Sequence, residues 1–161
     1  LIAIFISLAG IICYLAFRFN LRFGVAATAA TFHDVMLVLG VLFILNKEIT
    51  LLTITALLTL AGYSITDTVV VFDRIRENIK RYKKLSIAKI INRSINEMLS
   101  RTIITSMTTA TVVLCIFIFG GVVIHDFAFT LLLGVLVGTY SSVFIASPVV
   151  YLWHKGKTPK Q

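Results

Sequence analysis

A chain of 161 residues that is 58% hydrophobic and only 14% charged lies outside the range of soluble globular domains and reads as an all-α integral membrane protein. The net charge of +8 would suit a nucleic-acid binder, but the basic residues fall in short stretches between apolar runs, a placement that suits membrane orientation. Cys13 and Cys115 each sit alone in an apolar run, which argues against a disulfide framework and gives neither one metal-ligand spacing.

Apolar spans occupy roughly residues 1–17, 24–45, 50–72, 102–119 and 127–153. A helix needs ~20 apolar residues to cross a ~30 Å hydrocarbon core, so the pattern predicts a polytopic bundle of five transmembrane helices, the first cut short at its start. Five crossings put Arg18–Phe23, Asp73–Arg101 and His154–Gln161 on one side, with Asn46–Ile49 and Gly120–Asp126 on the other. Of the 15 Lys and Arg residues only Lys47 lies in the second group, which assigns the first group and the C-terminus to the cytoplasm. The N-terminus then lies outside, and an earlier crossing or an export signal is expected upstream of Leu1.

The first span is apolar apart from Ser7 and ends at Arg18 and Arg22. The second opens on Gly24, Ala26, Ala27, Ala29 and Ala30, small residues that let helix backbones approach closely in lipid. His33-Asp34 follows about 15 Å into that helix, near the bilayer midplane. The pair is either a mutually satisfied polar spot or a titrating pair on an ion route. Adjacent residues face different ways and no second His follows at i+4, so no metal site is expected.

The third span holds one carboxylate, Asp67, with Thr59 and Tyr63 on the same face at i+4 steps and Ser64 beside them. An acid at that depth is costly unless protonated, paired or facing a polar cavity, so Asp67 is the leading functional candidate. Charged residues from Asp73 onward continue the helix into the cytoplasm, with Glu77 spaced to pair with Arg81. Segment 85–100 is amphipathic, Ala88, Ile91, Ile95 and Met98 sharing a face. It either lies along the membrane surface or leads straight into the fourth span.

The fourth span begins with Arg101 and a series of hydroxyl residues. Arg101, Thr105 and Thr108 share a face, expected to point inward so that Arg101 can pair with Asp67 across the two helices. Gly120-Gly121 marks an outer turn, with His125-Asp126 just beyond it. The fifth span carries Gly134 and Gly138, a close-packing motif continued by Ser141 and Ser142. Pro148 is placed to kink it, Tyr151 and Trp153 form an interfacial belt, and Lys155 to Gln161 is a polar tail.

Gly62–Asn78 (GYSITDTVVVFDRIREN), Asn92–Ser106 (NRSINEMLSRTIITS), the FGG at Phe119–Gly121 and the GTYSS at Gly138–Ser142 resemble the SecF family. Its members are membrane subunits that act with SecD in bacterial protein export, within the wider resistance–nodulation–division exporters. The likeness runs over essentially the whole chain. It implies half of a resistance–nodulation–division-type transmembrane domain, preceded in the family by a first transmembrane helix and a periplasmic domain. It implies a multi-pass protein of the bacterial cytoplasmic (inner) membrane that couples the proton-motive force to protein export, with no bound cofactor and with sodium as an alternative coupling ion. The implied partners are SecD, the SecYEG channel, YajC, a translocating polypeptide and membrane lipids, and no nucleic acid.

Carried over by motif, Asp67 matches the family's proton-pathway aspartate and Arg101 its partner on the next helix, with SecD supplying a second aspartate. His33 and Asp34 fit the family pattern without a defined role; with Tyr63, Ser64 and Thr105 they are candidates for a polar pathway. No nucleophile set, zinc motif or phosphate loop points to an enzyme. The alternatives are a proton-coupled exporter of small hydrophobic molecules or lipids, and a scaffold in which Asp67 and Arg101 form a static clamp.

Overall fold

The computed structural model describes residues 2–18 and 21–154. The short connection before Leu21 and the polar tail from Lys155 lie outside them. The described residues form helices only: α1 (Ile2–Arg18), α2 (Leu21–Ile44), α3 (Leu51–Arg81), α4 (Ile87–Phe119), α5 (Gly121–Ser141), a π-helical turn (Ser142–Ala146) and α6 (Ser147–His154).

Four stretches are long and apolar enough to cross a membrane: Phe23–Ile44, Leu51–Arg81, Ile87–Phe119 and Gly121–Trp153. α1, at 17 residues, falls short of the ~20 a crossing takes, so it does not join this set of four. α3 and α4, with 31 and 33 residues, are about 46 and 50 Å long and exceed a ~30 Å core by 15 Å or more. The excess is the charged end of each. Nothing between Ile87 and Phe119 breaks the helix, neither Gly nor Pro, so the amphipathic segment and the fourth span are one element.

Short turns fix the order of the helices. At the end of α2, Asn46 takes φ 51°, its N–H bonds the carbonyl of Phe43, and the N–H of Lys47 reaches that of Leu42. This pattern satisfies the last carbonyls of the helix. Thr50 then caps α3, accepting from the Thr53 amide at 3.3 Å. Between α4 and α5 a side chain on Gly120 would meet the Ile116 carbonyl oxygen at 2.3 Å, and Gly121 has φ +75°. Both positions require glycine, and for different reasons.

α3 is central, packed against α2, α4 and α5. Lipid removes most of the hydrophobic drive for helix association, so close contact and hydrogen bonds must supply it. Ala26, Ala27 and Ala30 of α2 are fully buried, while Phe23 meets Phe72 of α3 edge-on at 5.4 Å. On the other side of α3, Gly134 and Gly138 of α5 lie against Leu60 and Ser64, an i, i+4 pair meeting an i, i+4 pair.

Charged contacts gather at the two ends of the bundle. At one end Arg18 pairs with Asp73, and Glu97 of α4 accepts from Arg74 at 2.7 Å, Arg93 at 2.9 Å and buried Asn78 at 2.9 Å. Glu77 pairs with Arg74 at 2.6 Å in place of the expected Arg81. At the other end Lys47 holds Asp126 at 2.8 Å, joining the α2–α3 turn to α5.

Candidate functional site

Asp67 sits where three helices meet. Its Oδ1 accepts from Thr102 Oγ1 of α4 at 3.2 Å, and its Oδ2 accepts from Ser142 Oγ at 2.7 Å, at the end of α5. One turn away the same helices are linked again, Tyr63 Oη donating to Ser106 Oγ at 3.1 Å and Thr139 Oγ1 to the same oxygen at 2.7 Å. Tyr63 to Asp67, Ser106 to Thr102 and Thr139 to Ser142 are each about one helical turn. α3, α4 and α5 therefore carry two stacked polar rungs, with the carboxylate in one and the phenol in the other.

Local sequence explains how the hydroxyls come to face the acid. Thr102 and Ser106 lie on the buried side of α4 together with Val113. Ser142 is the first residue of the π turn and also bonds the carbonyl of Thr139 at 3.0 Å. The wider turn has a cause in Pro148, which has no N–H and whose ring would crowd the carbonyl one turn back. The π turn absorbs that mismatch where the expected kink would otherwise fall, and such turns recur at functional sites.

One turn along α3, on the side of α2, lies a second acid. Asp34 is fully buried, accepts from Ser64 Oγ and lies 3.1 Å from His33 Nδ1. His33 itself is part-exposed. Gly138 of α5 lies beside Ser64, where an added Cβ would make only an ordinary 3.5 Å contact. Ser64 and Asp67 are about one turn apart on α3, so one helix touches both acid sites, through Ser64 toward α2 and through Asp67 toward α4 and the π turn.

The geometry separates the expected Asp67–Arg101 pair. Arg101 is exposed and makes no ion pair among the described residues. Thr105 and Thr108 share its outward face, and their hydroxyls bond carbonyls of their own helix. The interior side of α4 is about 100° round, at Thr102 and Ser106, whose short hydroxyls bridge to α3 and α5. Ser142, Thr139 and Ser106 were the partners hidden from sequence reasoning. The hydroxyl run in GTYSS was the available signal, overshadowed by the packing role of Gly134 and Gly138. Cys13 and Cys115 are free and exposed.

Beyond the apolar spans, Asn78, Arg93 and Arg74 hold the Glu97 carboxyl down to about 2. That clamp ties the charged extensions of α3 and α4 together.

Residues 1–156 match the family described as protein export membrane protein SecD/SecF, C-terminal. The chain belongs to that family. It is 57% identical over 163 residues to the protein translocase subunit SecF of Thermodesulfovibrio yellowstonii, an alignment covering 100% of this chain and 54% of that protein. To the protein translocase subunit SecDF of Thermus thermophilus it is 48% identical over 151 residues, covering 94% of this chain and 20% of the relative. A crystal structure of SecDF in its Super-membrane-facing form superposes with a TM-score of 0.85 at 48% identity, over 90% of this chain and 20% of that one. The chain spans about half the length of the SecF protein it matches and a fifth of the SecDF chain. All-helical spans of this composition fit a SecD/SecF membrane protein.

Proposed function

We propose that the chain is the membrane-embedded engine of a protein-translocation subunit, in which Asp67 binds and releases a proton drawn through by the proton-motive force. The observation that carries this reading is a carboxylate inside an apolar span, held by hydroxyls from two neighbouring helices. A hydroxyl both donates and accepts, so Thr102 and Ser142 can serve Asp67 protonated or ionised. Ser142 has an alternative acceptor ready in the Thr139 carbonyl.

The charge partner in the ionised state is Arg101. It precedes Asp67's own contact, Thr102, by one position on α4, about 100° round the helix. In this reading the protonated acid rests on the hydroxyls, and loss of the proton draws the guanidinium in and turns or shifts α4 against α3. One charge crossing the membrane is worth ~2.3 kcal/mol per 100 mV, enough to bias a two-state packing. A sodium ion would enter the same scheme as the coupling ion.

The work would be done with SecD, which supplies a second acid, alongside the SecYEG channel and YajC. α1 would act as a fifth crossing, completing half of a resistance–nodulation–division-type domain in the bacterial inner membrane with its C-terminus in the cytoplasm. His33 and Asp34 would line a second polar route reached through Ser64.

The test is Asp67→Asn in the full-length protein assembled with SecD, scored by export driven by a proton gradient at equal assembly. Loss of export with an intact complex is expected. A second reading, a static scaffold, draws on the fact that the acid is already hydrogen-bonded without Arg101. Undiminished export in the Asn variant would establish it and end the relay reading.

A further inference from the structure

Two grooves on one flank of the bundle run into each other. The first, about 500 Å³, lies between the early part of α4 and the π turn with α6. The second, about 330 Å³, continues between α4 and α5, and Leu99, Val143 and Phe144 line both. At its charged end the surface opens onto a polar shelf that includes Lys89, Asn92 and Asn96. These three side chains are exposed, and none has an ion-pair or hydrogen-bond partner among the described residues.

The depth of the shelf identifies what it can meet. The apolar runs stop near the Arg74–Glu97 pair. Asn92 and Asn96 lie within about 8 Å of that level along the helix, inside the headgroup band that adds ~5–8 Å to each side of the core. Lys89 is one turn further out, and a lysine stem can reach back to the band. From Leu99 to Ala110 the groove follows α4 for about 16 Å, a length suited to most of an acyl chain.

We propose that this surface is a binding site for one anionic phospholipid, its phosphate at Lys89, Asn92 and Asn96 and one acyl chain laid past Leu99 and Phe144 toward Met107. At headgroup depth the shelf offers Lys89 and two amides, beside a Glu97 carboxylate already paired with Arg93 and Arg74, and below it the groove is apolar. A partner helix is the weaker occupant on this side. Ile103 and Ala110 of the groove lie about 180° round α4 from the face of Arg101, the residue that most needs a polypeptide partner. The acyl chain would also run beside Thr102, Ser106 and Thr139, sealing the lipid side of the two rungs.

The experiment is native mass spectrometry of the full-length protein in its assembly, titrated with phosphatidylglycerol or with phosphatidylcholine of the same chain lengths. One retained phosphatidylglycerol, preferred over phosphatidylcholine, is expected. Lys89→Gln should weaken it roughly fivefold, the worth of one basic side chain at an anionic surface. Leu99→Trp and, separately, Phe144→Trp, both at exposed positions, should fill the groove and displace it, while Lys47→Gln at the far end changes nothing. Equal retention of phosphatidylcholine, full competition by inorganic phosphate, or unaltered binding in both tryptophan variants would each overturn the proposal. So would a cross-link from Leu99→Cys, labelled with a thiol-reactive photo-cross-linker, to a partner polypeptide in the intact assembly.

Discussion

The contact between α5 and α3 permits a paired test whose two halves have opposite signs. A methyl on Gly134 would sit 2.7 Å from Leu60 Cδ1 and 3.0 Å from its Cγ, and Leu60 is fully buried, so the clash must be absorbed within the packed interface. Overpacking of that kind costs ~1–3 kcal/mol. A methyl on Gly138 would instead meet Ser64 Cβ at 3.5 Å, an ordinary contact. Removing glycine from a helix there is worth ~0.5–1 kcal/mol in the favourable direction. Gly134→Ala is therefore expected to destabilise the bundle by up to about 2.5 kcal/mol after that same gain is counted, with Gly138→Ala neutral or slightly stabilising. Unfolding of the full-length protein in mixed micelles, followed by helical circular dichroism, measures both. Leu60→Ala made together with Gly134→Ala should recover part of the loss, a coupling that a double-mutant cycle isolates. Should Gly138→Ala prove the more damaging, or Leu60→Ala add its full cost on top of Gly134→Ala, the close approach at Leu60 is not what sets this interface.

The rung at Asp67 predicts that Thr102→Val and Ser142→Ala each lower gradient-driven export, since each removes a hydrogen bond worth ~0.5–1.5 kcal/mol from the protonated acid. Tyr63→Phe should do less, because Ser106 keeps its bond from Thr139; export rates at matched expression decide the order. Glu97→Gln should loosen the charged extensions of α3 and α4, seen as faster amide exchange between Arg74 and Glu97. The same clamp has a defined pH response. The Glu97 carboxyl is depressed to about 2 from 4.5, so its contribution is complete above the unfolded value and fades only as pH falls toward 2. Amide protection at this junction should thus persist at pH 4, where an unperturbed glutamate would be largely protonated.

Hydropathy was enough to read four of the five expected spans from the sequence, because a bilayer imposes length and polarity on every crossing; the first, at 17 residues, stays short of that length. The small-residue faces were legible for the same reason: Ala26, Ala27 and Ala30 are buried, and Gly134 and Gly138 do meet another helix closely. Rotation about each helix axis was harder to read. Arg101 and Thr102 are adjacent in sequence, and only packing against α3 and α5 decides which of them faces Asp67. Ser142 owes its aim to a π turn that nothing local but Pro148 announces. The Glu97 clamp joins residues 23 apart on different helices, a pairing that i, i+4 spacing cannot reveal.

The clamp also turns the α3–α4 hairpin into a lever with a fixed fulcrum. Arg74 and Glu97 pin the two helices at their charged ends, so relative motion is confined to a scissoring about that point. Asp67 lies about 10 Å from the fulcrum and Leu51 about 35 Å from it along α3. A separation of about 1 Å at the carboxylate would thus open the far end by ~3 Å. Small displacements at the acid would arrive magnified on the side of the membrane where Lys47 and Asp126 meet.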